Sequence, residues 1–301
     1  MKTALDIRHP MFDFPRPFAE MEDLRSHTSF EIGGPAEFFF RPACRAELAR
    51  AVRRCREAGL PARILGRGTN LLVADQGVEG AVISTAGLQG VAIAGDTVTA
   101  DCGVGLPRLV ALAAERGLSG LERLAGIPGS LGGAIRMNAG AADGCIGDVV
   151  EDVLVITPGG DIATLDAAEI GFGYRCSGLD GAIVVSATLS LHPSGRERVL
   201  RATKAHARRK KMTQPTGKGT AGCVFKNPPS GSAGGILDRL GLKGARAGGA
   251  KVSEKHANFI VNSGRASADD VMALIGRARE AVFRTLGIEL DLEIEIWPSS
   301  A

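Results

Sequence analysis

The sequence predicts an α+β protein built from two domains. Three observations carry this expectation. Short strand-like and helical segments are mixed along the chain without regular βαβ alternation. With 301 residues and 45% hydrophobic content, the chain can fill two ordinary cores. Its character also changes at Pro193-Ser194-Gly195, a linker candidate that precedes a strongly basic helical stretch.

Residues 1–20 mix Pro, Phe and charge without periodicity and read as an irregular N-terminal arm. Leu48, Val52 and Cys55 recur at helical spacing, and Gly59 follows as a stop. A short strand at 63–65 runs into Gly66-Arg67-Gly68-Thr69-Asn70, after which Leu71-Leu72-Val73 resumes an apolar run. Further strands are expected near 81–84 and 97–102. Pro107 opens a helix carrying Leu109, Val110 and Leu112, and Gly117 closes it. The densest glycine region runs from Gly117 to Gly147. Strands are expected again at 153–156 and at 183–191, where Ile183, Val185, Ala187, Leu189 and Leu191 alternate with hydroxyl residues. Near the end, Ser267-x-x-Asp270 has the form of a capping box. Val271, Leu274, Ile275, Ala278, Val282 and Leu286 line one face of the helix it opens, and Gly287 ends that helix. The stretch 288–296 then alternates strictly, which predicts a strand with one buried and one acidic face.

Composition removes several function classes. Glycine occurs 41 times, about twice the usual share of roughly 7%, while aromatics make up only 4%. No apolar run of about 18 residues exists to span a membrane, and Met1 to Phe12 lacks the apolar core of a secretory signal. A cytoplasmic monomer is the expectation. Net charge is +3, from 36 basic and 33 acidic residues, too mild to indicate nucleic acid. Six cysteines show no CxxC pair and read as free thiols, and the five scattered histidines form no metal signature.

Two glycine loops are plausible phosphate cradles, although neither common fingerprint is present. Leu71 stands where a dinucleotide motif needs its third glycine, and no GxxxxGK[ST] occurs near Gly244 to Ser253. Gly66–Asn70 strings backbone N–H groups beside a hydroxyl and an amide. Gly126-Ile127-Pro128-Gly129-Ser130-Leu131-Gly132-Gly133 lets main chain approach a ligand closely. For either loop alone, a tight turn is the plainer explanation. Arg175, beside the only tyrosine, suits a substrate carboxylate or is simply a surface arginine. Cys223, flanked by small residues, is an approachable thiol or buried filler. Periodicity does not choose among Glu289, Asp291, Glu293 and Glu295. The basic run from Arg196 to Lys211 is either a solvated helix face or an attractor of a polyanionic small molecule. It lacks interleaved aromatics for stacking RNA.

Six blocks occur in order: Thr28 to Ala36, GRGTNLLVADQGVEGAVI, GLSGLERLAGIPGSLGGAIRMNAGA, FGYRCS, AGCVFKNP and KVSEKHANFIVN. Together they resemble the UDP-N-acetylenolpyruvoylglucosamine reductases of bacterial cell-wall synthesis, from about Thr28 to Ile296. The resemblance implies a two-lobed flavin domain of the vanillyl-alcohol-oxidase (PCMH) type over 21–194, with lobes 21–85 and 86–194. A C-terminal α+β substrate domain would follow over 195–301. It further implies non-covalent FAD, with phosphates at Gly66, Arg67, Gly68, Thr69, Asn70 and Leu71 and at Gly126, Ile127, Pro128, Gly129, Ser130 and Gly132. Asn138 and Gly140 belong to the same expected cofactor set. NADPH would reduce the flavin, leave, and be replaced by the UDP-N-acetylglucosamine enolpyruvyl ether. Flavin N5 would then pass hydride to the terminal vinyl carbon, giving UDP-N-acetylmuramate.

Carried over residue by residue, the resemblance places Arg175 and Glu293 on the developing negative charge. It places Cys223 as proton donor, where the commonest family pattern has serine. With a reference pKa of about 8.5 a thiol is the stronger acid, so sensitivity to alkylation is expected. Tyr174, Lys226 and Asn227 match substrate-contacting positions. Arg209 and Lys210 both fall near a ligand-binding arginine of the family, and neither is assigned. The spacing fits the shorter family form, and Tyr174 leaves no second tyrosine for a lid. Two other readings are an oxidase on the same cofactor fold and a nucleotide-binding protein without catalysis. An oxidase should lack the AGCVFKNP block and often attaches flavin through His or Cys, for which no anchor stands out.

Overall fold

The computed structural model describes residues 18–141, 143–215, 217 and 219–299. The first 17 residues of the expected arm lie outside that range, and its last three already belong to a strand, Phe18–Asp23. That strand edges a four-stranded sheet, pairing antiparallel with Pro35–Phe40. Val78–Ser84 and then Ala62–Leu65 continue the sheet in parallel. Alternation along Pro35–Phe40 sends Phe38 and Phe40 to one face and Phe39 to the other. The helix Arg45–Glu57 lays Leu48, Ala51, Val52 and Cys55 on the first face, as its periodicity predicts.

A five-stranded antiparallel sheet follows, in the order Ile162–Asp166, Val150–Ile156, Ile183–Ser190, Thr97–Asp101, Val91–Ala94. Helices Leu106–Glu115 and Leu131–Arg136 contribute Leu106, Leu109, Val110, Leu131 and Ile135 to the same core. A third unit sets the helix Ala268–Leu286 against the sheet Arg246–Ala247, Ala250–Val252, Ile260–Asn262. The expected capping box is formed: Ser267 Oγ accepts from Asp270 N at 3.0 Å, and the Asp270 carboxylate accepts from Ser267 N. Gly287 ends the helix with φ +67°. Leu286 departs from the expected buried face and is exposed, because it sits in the last turn. No helix among the described residues is long and apolar enough to cross a membrane.

Two expectations from sequence need correction. The basic helix Arg196–Thr213 is not the start of the C-terminal unit. It packs on the Leu106–Glu115 helix and the Glu122–Leu124 turn, burying Val199 and covering the first core with Ala207. The break in packing therefore falls after this helix and not at 194/195. The alternating stretch 288–296 is also not one strand. Only Glu295–Trp297 is, and it pairs in parallel with the three-residue strand Leu71–Val73. Alternation survives as burial, with Leu290 and Ile294 inward, because the segment still lies across the third core.

The same pairing shows how the units interlock. Phe30, Ile32 and Leu72, early in the chain, are buried in the C-terminal core. Trp297, near its end, is buried behind the first sheet with Leu24, Phe39 and Val82.

Candidate active site

A cleft of about 700 Å³ runs where these units meet. Both glycine loops line it, and in the chain each follows directly on the geometry that places it. Strand Ala62–Leu65 ends at Gly66, and the Leu71–Val73 strand begins after Asn70, so the first loop is pinned at both ends. At Gly68 φ is +59°, and a Cβ there would lie 2.2 Å from the His27 carbonyl. The loops face each other closely. A Cβ on Gly66 would come 2.6 Å from Ser130 Oγ, and one on Gly129 (φ +124°) 3.1 Å from Thr69 Oγ1. Side chains at these positions would fill the gap between two runs of main chain. The residues therefore fit a cofactor whose phosphates are held by backbone donors.

The same cleft is lined by Arg175, Glu293 and Cys223. Arg175 has φ +56°, an uncommon conformation for a non-glycine residue. Its Nε donates to Glu293 Oε1 at 2.8 Å, and its Nη2 donates to the Gly140 carbonyl at 3.1 Å. The guanidinium lies 5.2 Å from the Tyr174 ring centroid, within cation–π range. Of the four acids that periodicity left open, only Glu293 is withdrawn from solvent; Glu289, Asp291 and Glu295 are exposed. Burial raises the Glu293 carboxyl above its ordinary value, opposed by Arg175 and Lys226. Asn70 of the first loop clamps the same segment: its Nδ2 donates to the Glu293 carbonyl at 2.9 Å, and its carbonyl accepts from Glu295 N.

Cys223 is held from its C-terminal side by Asn258. Val224 N donates to the Asn258 carbonyl, and the buried Asn258 side chain pairs with Phe225 N and O at 2.9 and 2.8 Å. Burial, with Glu293 nearby, pushes the thiol up to about 12, against the pull of Arg175 and Lys210. A raised thiol pKa favours a protonated donor and weighs against the alkylation sensitivity expected from sequence. At neutral pH Cys223 keeps its proton.

Residues 36–166 match the FAD binding domain family, and residues 214–297 match the UDP-N-acetylenolpyruvoylglucosamine reductase C-terminal domain. The chain is 48% identical over 277 residues to the UDP-N-acetylenolpyruvoylglucosamine reductase of Moorella thermoacetica, covering 92% of each chain. It is 44% identical over 286 residues to reductase 2 of Symbiobacterium thermophilum, covering 94% of this chain and 93% of the relative. Its fold superposes on the crystal structure of UDP-N-acetylenolpyruvylglucosamine reductase (MurB) from Thermus caldophilus with a TM-score of 0.82. That match has 42% identity and covers 94% of this chain and 98% of the other.

The chain belongs to the UDP-N-acetylenolpyruvoylglucosamine reductase family. It is an FAD-dependent oxidoreductase, and the family resemblance and the two-domain α+β fold expected from sequence are both borne out.

Within this reductase the expected cofactor residues of both loops, and Gly140, line the cleft. Asn138 does not. It is buried, with Nδ2 donating to the Gly173 carbonyl and Oδ1 accepting from Gly147 N, so it orders the loop that carries Arg175. Tyr174, Lys226 and Asn227 also stand outside the cleft lining. The Tyr174 hydroxyl accepts from Asn227 N at 3.2 Å, and Asn227 Oδ1 accepts from Ala233 N. Lys226 N donates to the Asp291 carbonyl. Together these contacts tie the arginine loop to the C-terminal unit.

The structure separates the two basic residues left undecided by sequence. Arg209 turns outward to Asp143 at 3.4 Å, whereas Lys210 lines the cleft with its stem across Gly126. Burial and then Arg175 push the Lys210 ammonium down to about 8. Phe259, from the KVSEKHANFIVN block, and Trp297, which carried no motif signal, also line the cleft. Trp297 directly follows the alternating stretch 288–296, the one sequence hint of its burial. Among the described residues no cluster of three or more His, Cys, Asp or Glu could hold a metal.

Proposed function

We propose that this chain reduces the enolpyruvyl ether of UDP-N-acetylglucosamine to UDP-N-acetylmuramate in peptidoglycan precursor synthesis, with NADPH as reductant. The convergence of Arg175, Glu293 and Cys223 in one glycine-lined cleft carries this reading. When bound, FAD supplies the hydride chemistry that links the nicotinamide to the vinyl carbon. Addition of hydride to the terminal carbon leaves negative charge beside the substrate carboxylate. Arg175, already oriented by Glu293 and the Gly140 carbonyl, offers its remaining donors to that charge without reorganising. Glu293, with its raised pKa, holds the arginine and adds little opposing charge whenever it is protonated.

Cys223 completes the addition by giving its proton to the carbon next to the carboxylate. The S–H bond breaks, the C–H bond forms, and the thiolate is left near Arg175 and Lys210, whose charges favour it. Tyr174, Lys226 and Asn227 then serve substrate binding at the junction of the two units. The test is spectroscopic. Protein loaded with FAD should bleach with NADPH under anaerobic conditions and recover its colour on addition of the enolpyruvyl sugar, with UDP-N-acetylmuramate as product. Recovery with oxygen alone, and none with the enolpyruvyl sugar, would refute the proposal.

A further inference from the structure

Ser29 lies in neither glycine loop and outside the catalytic cluster, yet it bridges the first loop to the segment that leads into Cys223. Its backbone N–H donates to the Gly68 carbonyl of the first glycine loop at 3.0 Å. Its own carbonyl accepts from Gly219 N at 2.6 Å and from Thr220 N at 3.2 Å, at the head of the segment that ends in Cys223. Its hydroxyl, with one proton to give, is 2.6 Å from the Thr220 carbonyl and 3.2 Å from the Gly68 carbonyl. The shorter contact is the natural acceptor. The neighbourhood leaves little slack. Gly68 is packed so tightly on this strap that a Cβ would meet His27 O and the Thr28 Cα, while Phe30 is anchored in the C-terminal core. The far end of the Cys223 segment is held independently by Asn258.

We propose that Ser29 is a positioning residue that sets the distance between the cofactor loop at Gly68 and the proton donor Cys223. This inference rests on the proposed function of the cleft. Proton delivery to carbon demands a near-contact geometry, and small displacements of a donor are costly in rate. Reduction of the flavin by NADPH makes no use of Cys223. Loss of the hydroxyl should therefore slow one half-reaction and spare the other.

The experiment compares the FAD-loaded native protein with Ser29→Ala and Ser29→Thr by anaerobic stopped flow. In Ser29→Ala, bleaching by NADPH should stay within about twofold of native. Reoxidation by saturating enolpyruvyl sugar should slow about tenfold. Ser29→Thr, which keeps the hydroxyl, should restore it. A second measurement needs no turnover. Iodoacetamide labelling of the Cys223 peptide at pH 9, followed by mass spectrometry, should accelerate several-fold in Ser29→Ala because the segment is released at one end. If Ser29→Ala does not fold, Ser29→Cys replaces it, since a thiol is a weaker donor at the same place. Equal slowing of both half-reactions, no slowing, or failure of threonine to rescue overturns the proposal. If the native protein is not reoxidised by the enolpyruvyl sugar, the functional reading fails instead, and unchanged Cys223 labelling then overturns the role of Ser29.

Discussion

Removing the Cys223 thiol separates the steps that this residue does and does not serve. Cys223→Ala should leave NADPH bleaching intact and slow reoxidation by the enolpyruvyl sugar about 10²–10⁴-fold, the usual share of a general acid. Cys223→Ser should retain most of that lost rate, which single-mixing kinetics will show. Arg175→Lys tests the stabilisation of the charge. A lysine keeps the cation but loses the planar fork that bonds Glu293 and Gly140 together, so kcat should fall about 10²-fold. At this scale the sequence was informative about identity and silent about direction. Arg209 and Lys210 are neighbours about 100° apart on a helix, and only packing on Gly126 decides which enters the cleft. Asn138 read as a cofactor contact, because a motif does not reveal which way an amide points.

Local signals transfer well from sequence to secondary structure, and pairing does not. The Ser267 and Asp270 capping box needs only four consecutive positions, and it forms as expected. Ser267→Ala should cost about 1 kcal/mol, measurable by urea unfolding. The alternating run 288–296 misled because strand length is set by a partner more than two hundred residues earlier, and that partner is just Leu71–Val73. Glycines make the same distinction. Gly59 and Gly68 have nearly equal φ, +62° and +59°, but a Cβ at Gly59 meets nothing within 4 Å. Gly59→Ala should therefore cost only the left-handed penalty of roughly 1–2 kcal/mol. Gly68→Ala must also displace the strap at His27, and should lose FAD on gel filtration as well as stability.

For the whole molecule, the buried Cys55 and Cys102 and the half-buried Cys223 set an alkaline limit. Cys55 is pushed up to about 11, and Cys102 and Cys223 to about 12, from an ordinary 9.0, chiefly by burial. Below pH 9 folded and unfolded chains both hold these protons. Above it the unfolded chain releases them and the folded chain does not, so stability falls as pH rises from 9 towards 11–12. Each thiol contributes a slope of about 1.4 kcal/mol per pH unit in that window. Urea titrations at pH 8, 9 and 10 should show the decline, and Cys102→Ala should lessen its slope. Two domains were legible in the sequence, but their interlock was not. Phe30 in one core and Trp297 in the other are long-range exchanges that no composition shift marks.

Trp297 is the only tryptophan in the chain, and it is buried in the cleft wall with its indole N–H donating to Glu295 Oε1 at 2.9 Å. The protein thus carries a single tryptophan in the wall of the cleft proposed to hold FAD. Its emission overlaps flavin absorption, so resonance energy transfer should extinguish it in proportion to loading. Because the same indole is stitched to Leu71–Val73 through the last strand, its emission should shift red when the C-terminal tether comes undone. One optical channel then reports cofactor occupancy by intensity and the pairing of the last strand with Leu71–Val73 by colour.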